Sequence, residues 1–230
     1  MAAQRLAPRI SVNKLGEYIV ASPARRKRII YDQKFPQKFI TARYADAQQF
    51  ITEYLAQTNR HTSYIAAAIS QLMSIPARSE WEEQNNALCA GALEHFIEVE
   101  DKLTSQEFSY TPLNPLAQAS CTIANVEISI RPELEVVINQ GKKLGQCGIV
   151  KLAFSKTNPI TADVGDTTAS LLHHYCESTM AKGSLISRDM CMLVDVFGEK
   201  VVSAPKSFKR RMKDVEAACQ EIDALWPRIK

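Results

Sequence analysis

Two short runs carry the residue types best suited to chemistry. In Pro132-Glu133-Leu134-Glu135, two carboxylates alternate with an apolar residue, so on a strand both would point to one side. A turn, Gln140-Gly141-Lys142-Lys143, leads to Gly148-Ile149-Val150-Lys151-Leu152-Ala153-Phe154, in which Lys151 is the one charged group. Carboxylates on one strand beside a lysine on the next suit a divalent metal and a phosphate. Two carboxylates and a histidine can hold Mg²⁺ or Mn²⁺ and leave coordination positions open to water. Such a metal lowers the pKa of bound water and clamps phosphate oxygens, and a nearby lysine stabilises developing charge. His95 is a histidine that could join Glu133 and Glu135. Simpler roles exist for each group: Lys151 can snorkel to solvent or pair with a glutamate, and His95 can be a hydrogen-bonded core residue.

The elements that must position these groups follow from periodicity. Ser11 caps a helix with Val12, Leu15, Ile19 and Val20 on one side. Ser22-Pro23 opens a second helix that contains Arg25-Arg26-Lys27-Arg28. Helical spacing recurs over 45–57, 62–74 and 80–103, the last with Trp81, Cys89, Phe96 and Val99 expected inward. Residues 108–118, with Pro112 and Pro115, read as a loop. From residue 120 the period shortens: 120–130, 134–138, 149–154, 190–197 and 200–203 read as strands. Helices are expected over 162–180 and 208–225. The expected architecture is α/β, a basic helical N-terminal region (1–80) followed by a core (81–230) with a small mixed β-sheet flanked by helices.

Charge is distributed unevenly. Residues 1–44 hold ten Lys and Arg against Glu17 and Asp32, a net +8, in a chain of net charge +3. A basic segment on a mildly acidic body suits a polyanion such as nucleic acid, with Arg25, Arg26, Lys27 and Arg28 as backbone contacts. It equally suits docking on the acidic body or on a protein partner. No apolar run approaches the roughly 20 residues needed to span a bilayer, so no membrane association is expected. The first residues lack an apolar stretch of signal-peptide length, which points to a cytoplasmic protein. The six cysteines share no C-x-x-C spacing and read as scattered buried thiols. P-loop, G-x-G-x-x-G and G-x-S-x-G motifs are absent from the sequence.

From about residue 88 onward, the order of elements and residue types resembles the PD-(D/E)XK nuclease superfamily, in particular its RecB-like exonuclease branch. The residues that carry the resemblance are His95 on a helix, Pro132-Glu133 on a hairpin, Lys151 on the next strand and Tyr175 on the helix after it. The resemblance implies Glu133, Glu135 and His95 as metal ligands, Lys151 as the phosphate-side lysine, and Tyr175 as a support. It departs at Ile149, which stands where the family has an acid, and at Leu171, which stands in place of the family's glutamine. Glu135, Asp163, Asp166 or Asp195 could replace the missing carboxylate. The expectation is therefore a nucleic-acid-binding protein on a nuclease-like core, a metal-dependent phosphodiesterase if the carboxylate set is complete. The alternative is a non-enzymatic protein-interaction or assembly module built on an inactive version of the fold.

Overall fold

A computed structural model describes residues 4–36, 43–114, 117, 119–156, 160–180 and 183–230. The described elements are β1 (Arg9–Ser11), α1 (Val12–Val20), α2 (Pro23–Lys34), α3 (Ala45–Ala56), α4 (Ser63–Ser74) and α5 (Glu80–Ile97). These are followed by β2 (Phe108–Pro112), β3 (Ser120–Ile123), β4 (Val126–Ser129), β5 (Leu134–Ile138) and β6 (Gln146–Ala153). Last come α6 (Ala162–Thr179), β7 (Leu185–Ile186), β8 (Met192–Asp195), β9 (Lys200–Ser203) and α7 (Phe208–Leu225). Local chemistry sets many of the boundaries. Ser11, Ser22, Ser79 and Thr161 each accept a backbone N–H in the first turn of the helix they precede. Ala124 and Asn125, both at positive φ, make the tight turn between β3 and β4.

The larger sheet runs β2-β5-β6-β8-β9, with β7 beside β6. It is mixed: β6 and β8 are parallel, and α6 supplies the crossover that parallel neighbours require. Alternation divides its side chains between two cores. Leu134, Val136, Val150, Leu152, Met192 and Val194 pack under α3, α4 and α5. Ile149 faces the other way, into a core built from α1, α2, α6, α7 and the small sheet β1-β4-β3. The first 80 residues are thus shared: α1 and α2 belong to the second core, α3 and α4 to the first. Gly148 lets β6 approach the backbone of Met190 so closely that a Cβ there would collide with it.

The structure corrects several local readings. Phe108–Pro112 is an edge strand on β5, with Pro112 at its end, where a missing N–H is tolerated. Pro115, in the rest of the segment read as a loop, lies outside the described residues. The helix expected to reach residue 103 stops at Ile97 and gives way to a 3₁₀ turn at Glu100–Lys102. Trp81 is exposed because α5 buries only its later turns. Arg9–Ser11, which lacks a strand pattern of its own, becomes β1 by pairing in parallel with β4. All six cysteines are unpaired, and five are buried.

Candidate functional site

Glu133 and Lys151 meet as a cross-strand pair. Leu134 pairs with Val150 and Glu135 with Ile149, and the ladder continues when Glu133 N–H donates to the Val150 carbonyl at 2.9 Å. Lys151 Nζ donates to Glu133 Oε1 at 2.8 Å and to the Arg131 carbonyl at 2.7 Å. Leu152 N–H donates to Glu133 Oε2 at 2.6 Å. Side-chain exposure is 12% for Lys151 and 7% for Glu133. Burial pushes the Glu133 carboxyl upward, while Lys151 and the Leu152 N–H pull it back. Glu135 is half-buried and lies opposite Ile149, so both glutamates share one face of the sheet.

His95 lies on the opposite face. It projects from α5, which packs on the first core, and its Nδ1 is 2.7 Å from Glu199 Oε1 in the turn between β8 and β9. The ring also meets Phe197 edge-on. It is a half-exposed surface histidine, not a core one. Tyr175 packs against the second core together with Ile149. Asp163 and Asp166 both pair with Arg211 of α7, at 2.6 and 3.3 Å. Asp195 is buried and accepts the Gly198 N–H across the β8–β9 turn. As arranged, Glu133, Glu135 and His95 do not fit a Mg²⁺ or Mn²⁺ cage: His95 is across the sheet, and both Glu133 oxygens already hold donors. Among the described residues no group of three or more His, Cys, Asp or Glu is arranged to hold a metal.

The basic run on α2 is largely committed to the fold. Arg26 donates to the Tyr18 and Ile19 carbonyls at the end of α1 and to Glu221 of α7, with its guanidinium over the Tyr18 ring. Arg25 pairs with Glu17, and Arg28 with Asp32. Lys27 is exposed and has no ion-pair partner among the described residues. Lys34 is buried, and its Nζ donates to the Trp226 and Ile229 carbonyls at 2.8 Å each. Lys38, another contributor to the basic segment, lies outside the described residues.

A different set of cations is left over. A hollow of about 280 Å³ lies between β1, the start of α1, the end of β4 and Lys151. Arg5, Arg9, Arg131 and Lys151 line it, with Ser11, Val12 and Asn13 from the N-terminal end of α1. Glu127 lies 3.6 Å from Arg9, and Glu133 neutralises Lys151. Arg5 is held by backbone: its Nη1 donates to the Gln33 carbonyl at 3.0 Å and its N–H to the Lys34 carbonyl. Neither Arg5 nor Arg131 has a carboxylate partner among the described residues. Partial burial and then repulsion from Arg9 hold the Arg5 guanidinium below its ordinary range; Glu127 opposes and Arg131 adds to the effect. Arg131 adopts φ 45° directly before Pro132, a costly conformation for a residue with a side chain. Sequence reasoning missed this group because Arg5 and Arg9 lie far from Arg131 in the chain, and only the pairing of β1 with β4 unites them. The Arg131-Pro132 dipeptide was the single local signal. No family model matches the sequence, and no curated protein matches it significantly.

Proposed function

We propose that the protein binds nucleic acid through the phosphate backbone, at the hollow lined by Arg5, Arg9, Arg131 and Lys151. The observation that carries this reading is an excess of cations in a concave site at the N-terminal end of α1. Among the described residues Arg5 and Arg131 lack carboxylate partners there, and helix N-termini favour anions. The guanidinium fork suits phosphate oxygens. The PD-(D/E)XK-like reading of the core is supported by chain order: α5, a set of antiparallel strands, β6 with Lys151, then α6 with Tyr175. Binding rather than hydrolysis is favoured at this face, because Lys151 and the Leu152 N–H occupy both oxygens of Glu133. This is the non-enzymatic version of the fold, directed at nucleic acid.

Fluorescence anisotropy with single- and double-stranded DNA and RNA oligonucleotides tests the reading. Affinity should fall steeply with salt. The Arg5→Ala/Arg131→Ala pair should weaken binding to every sequence and reduce the salt slope by about 2. Absence of affinity at low salt, or a double variant that binds like the parent, would remove the hollow from function. The same oligonucleotides incubated with Mg²⁺ or Mn²⁺ test for cleavage, and cleavage lost in Lys151→Ala but retained in a fold-matched control would restore the hydrolytic reading.

A further inference from the structure

A second and larger hollow, about 540 Å³, opens at the Gln146 end of β6, away from Lys151. Volumes of this order hold small-molecule ligands. Its walls come from α6 (His173 and Glu177), from β7 and the Arg188 turn, and from the first residues of α7. His173 is the unusual group. It is 4% exposed, yet its Nδ1 makes no hydrogen bond among the described residues; Glu177 Oε2 is 3.5 Å away, and the Phe208 ring meets it edge-on at 4.6 Å. Buried polar atoms are almost always satisfied; this nitrogen is closed to solvent behind the wall, so the His173 ring is sensitive to any charge placed in the hollow it lines.

The charge of the hollow indicates which ligand. Arg188 is half-buried and Lys209 exposed, and neither has an ion-pair partner among the described residues. Asp189 is already held by Lys143 at 2.9 Å. Among the described wall residues Glu177 is the other negative group. The first turn of α7 contains no acidic residue and carries Lys209 and Arg210, an arrangement adverse to the helix dipole that an anion would reverse. Leu185, 58% exposed, supplies an apolar lip.

We propose that this hollow binds a small phosphomonoester bearing an apolar or aromatic group, its phosphate between Arg188 and Lys209 and beside the His173 ring, and its body against Leu185 and Phe208. Glu177 is positioned to accept a hydroxyl of such a ligand. The site is separate from the basic hollow at Lys151.

Calorimetry with inorganic phosphate, adenosine 5′-monophosphate and uncharged adenosine, together with nitrogen–proton spectra of the four histidines, tests this. The monophosphate should bind and perturb His173. In the free protein burial, Arg188 and His174 hold the His173 pKa down against Glu177; a bound dianion facing Arg188 and Lys209 should move it up. Arg188→Ala and Lys209→Ala should each weaken the monophosphate by about 10-fold, the scale of one charged hydrogen bond. Adenosine should bind far more weakly. The proposal fails if the monophosphate leaves His173 unmoved, if adenosine binds as tightly, or if affinity follows Arg5 and Arg131 instead of Arg188 and Lys209.

Discussion

Replacing Lys151 by alanine should destabilise the fold before it affects any function. The ammonium is 12% exposed and its carboxylate partner 7%. Its removal leaves Glu133 with a single donor, the Leu152 N–H, and strips the Arg131 carbonyl of its donor. Breaking one side of a buried ion pair costs about 3–5 kcal/mol. For a chain of this size that corresponds to a fall in Tm of roughly 6–20 °C. Urea unfolding at neutral pH measures the loss directly. A Glu133→Leu/Lys151→Met double variant, with no charge left to bury, should recover most of it. The pH dependence supplies an independent check. Burial already raises the folded-state pKa of Glu133, and loss of Lys151 raises it further. A carboxyl raised on folding binds its proton more tightly in the native state, so the variant is penalised as pH rises through the window between the ordinary glutamate pKa and the raised one. Below that window Glu133 is protonated in both states, and the charge penalty disappears. A loss under about 1 kcal/mol, the level of an exposed pair, or a deficit unchanged from neutral to acid pH, would refute the assignment of a desolvated pair.

Arg26→Ala should cost about 1–3 kcal/mol, from the charged hydrogen bonds that close α1 and reach Glu221, with nucleic-acid affinity unchanged in the anisotropy assay; a selective loss of affinity would return the α2 run to function. Gly148→Ala should destabilise at or above the usual 1–3 kcal/mol for overpacking, because the obstacle is the Met190 backbone and not a flexible side chain; thermal melting decides. Titration of Mn²⁺ into the wild-type protein and a Glu133→Ala/Glu135→Ala variant should give matching isotherms, since both Glu133 oxygens are engaged; binding lost only in the variant would reinstate a metal at these glutamates.

The elements with strong periodicity were legible in the sequence. Apolar spacing located α3, α4, α6 and α7, and the Ser11 and Ser22-Pro23 signals marked the starts of α1 and α2. Strand alternation located β5 and β6 and the glutamates' common face. What escaped was set by partners distant in the chain. β1 is too short to show a period and exists because β4 lies beside it. Phe108–Pro112 was obscured by its terminal proline, which an edge strand accommodates. The same holds for the site. Lys151 pairing with a glutamate was legible as one of the simpler alternatives, since opposite charges sit on adjacent strands. The commitment of Arg26 to carbonyls of α1 depended on how α1 meets α2, and the grouping of Arg5, Arg9 and Arg131 depended on β1. Composition gave the charge excess at the N-terminal side but not which cations would be left without partners.

The fastening of α1 and α2 to α7 also bears on how the chain is made. Arg26 and its partner Glu221 are 195 residues apart in sequence, and the core that contains Leu15 and Tyr18 is closed by Val215, Cys219 and Ile222. Translation at about 5–20 residues per second separates the synthesis of the two halves of that core by roughly 10–40 s. During that interval the first core can assemble from α3 through β8, and α1 can meet β4 and α6, but the side of the second core that α7 covers stays open. A nascent chain stalled before α7 therefore leaves one apolar face of the second core uncovered, the face closed in the finished protein by Val215, Cys219 and Ile222.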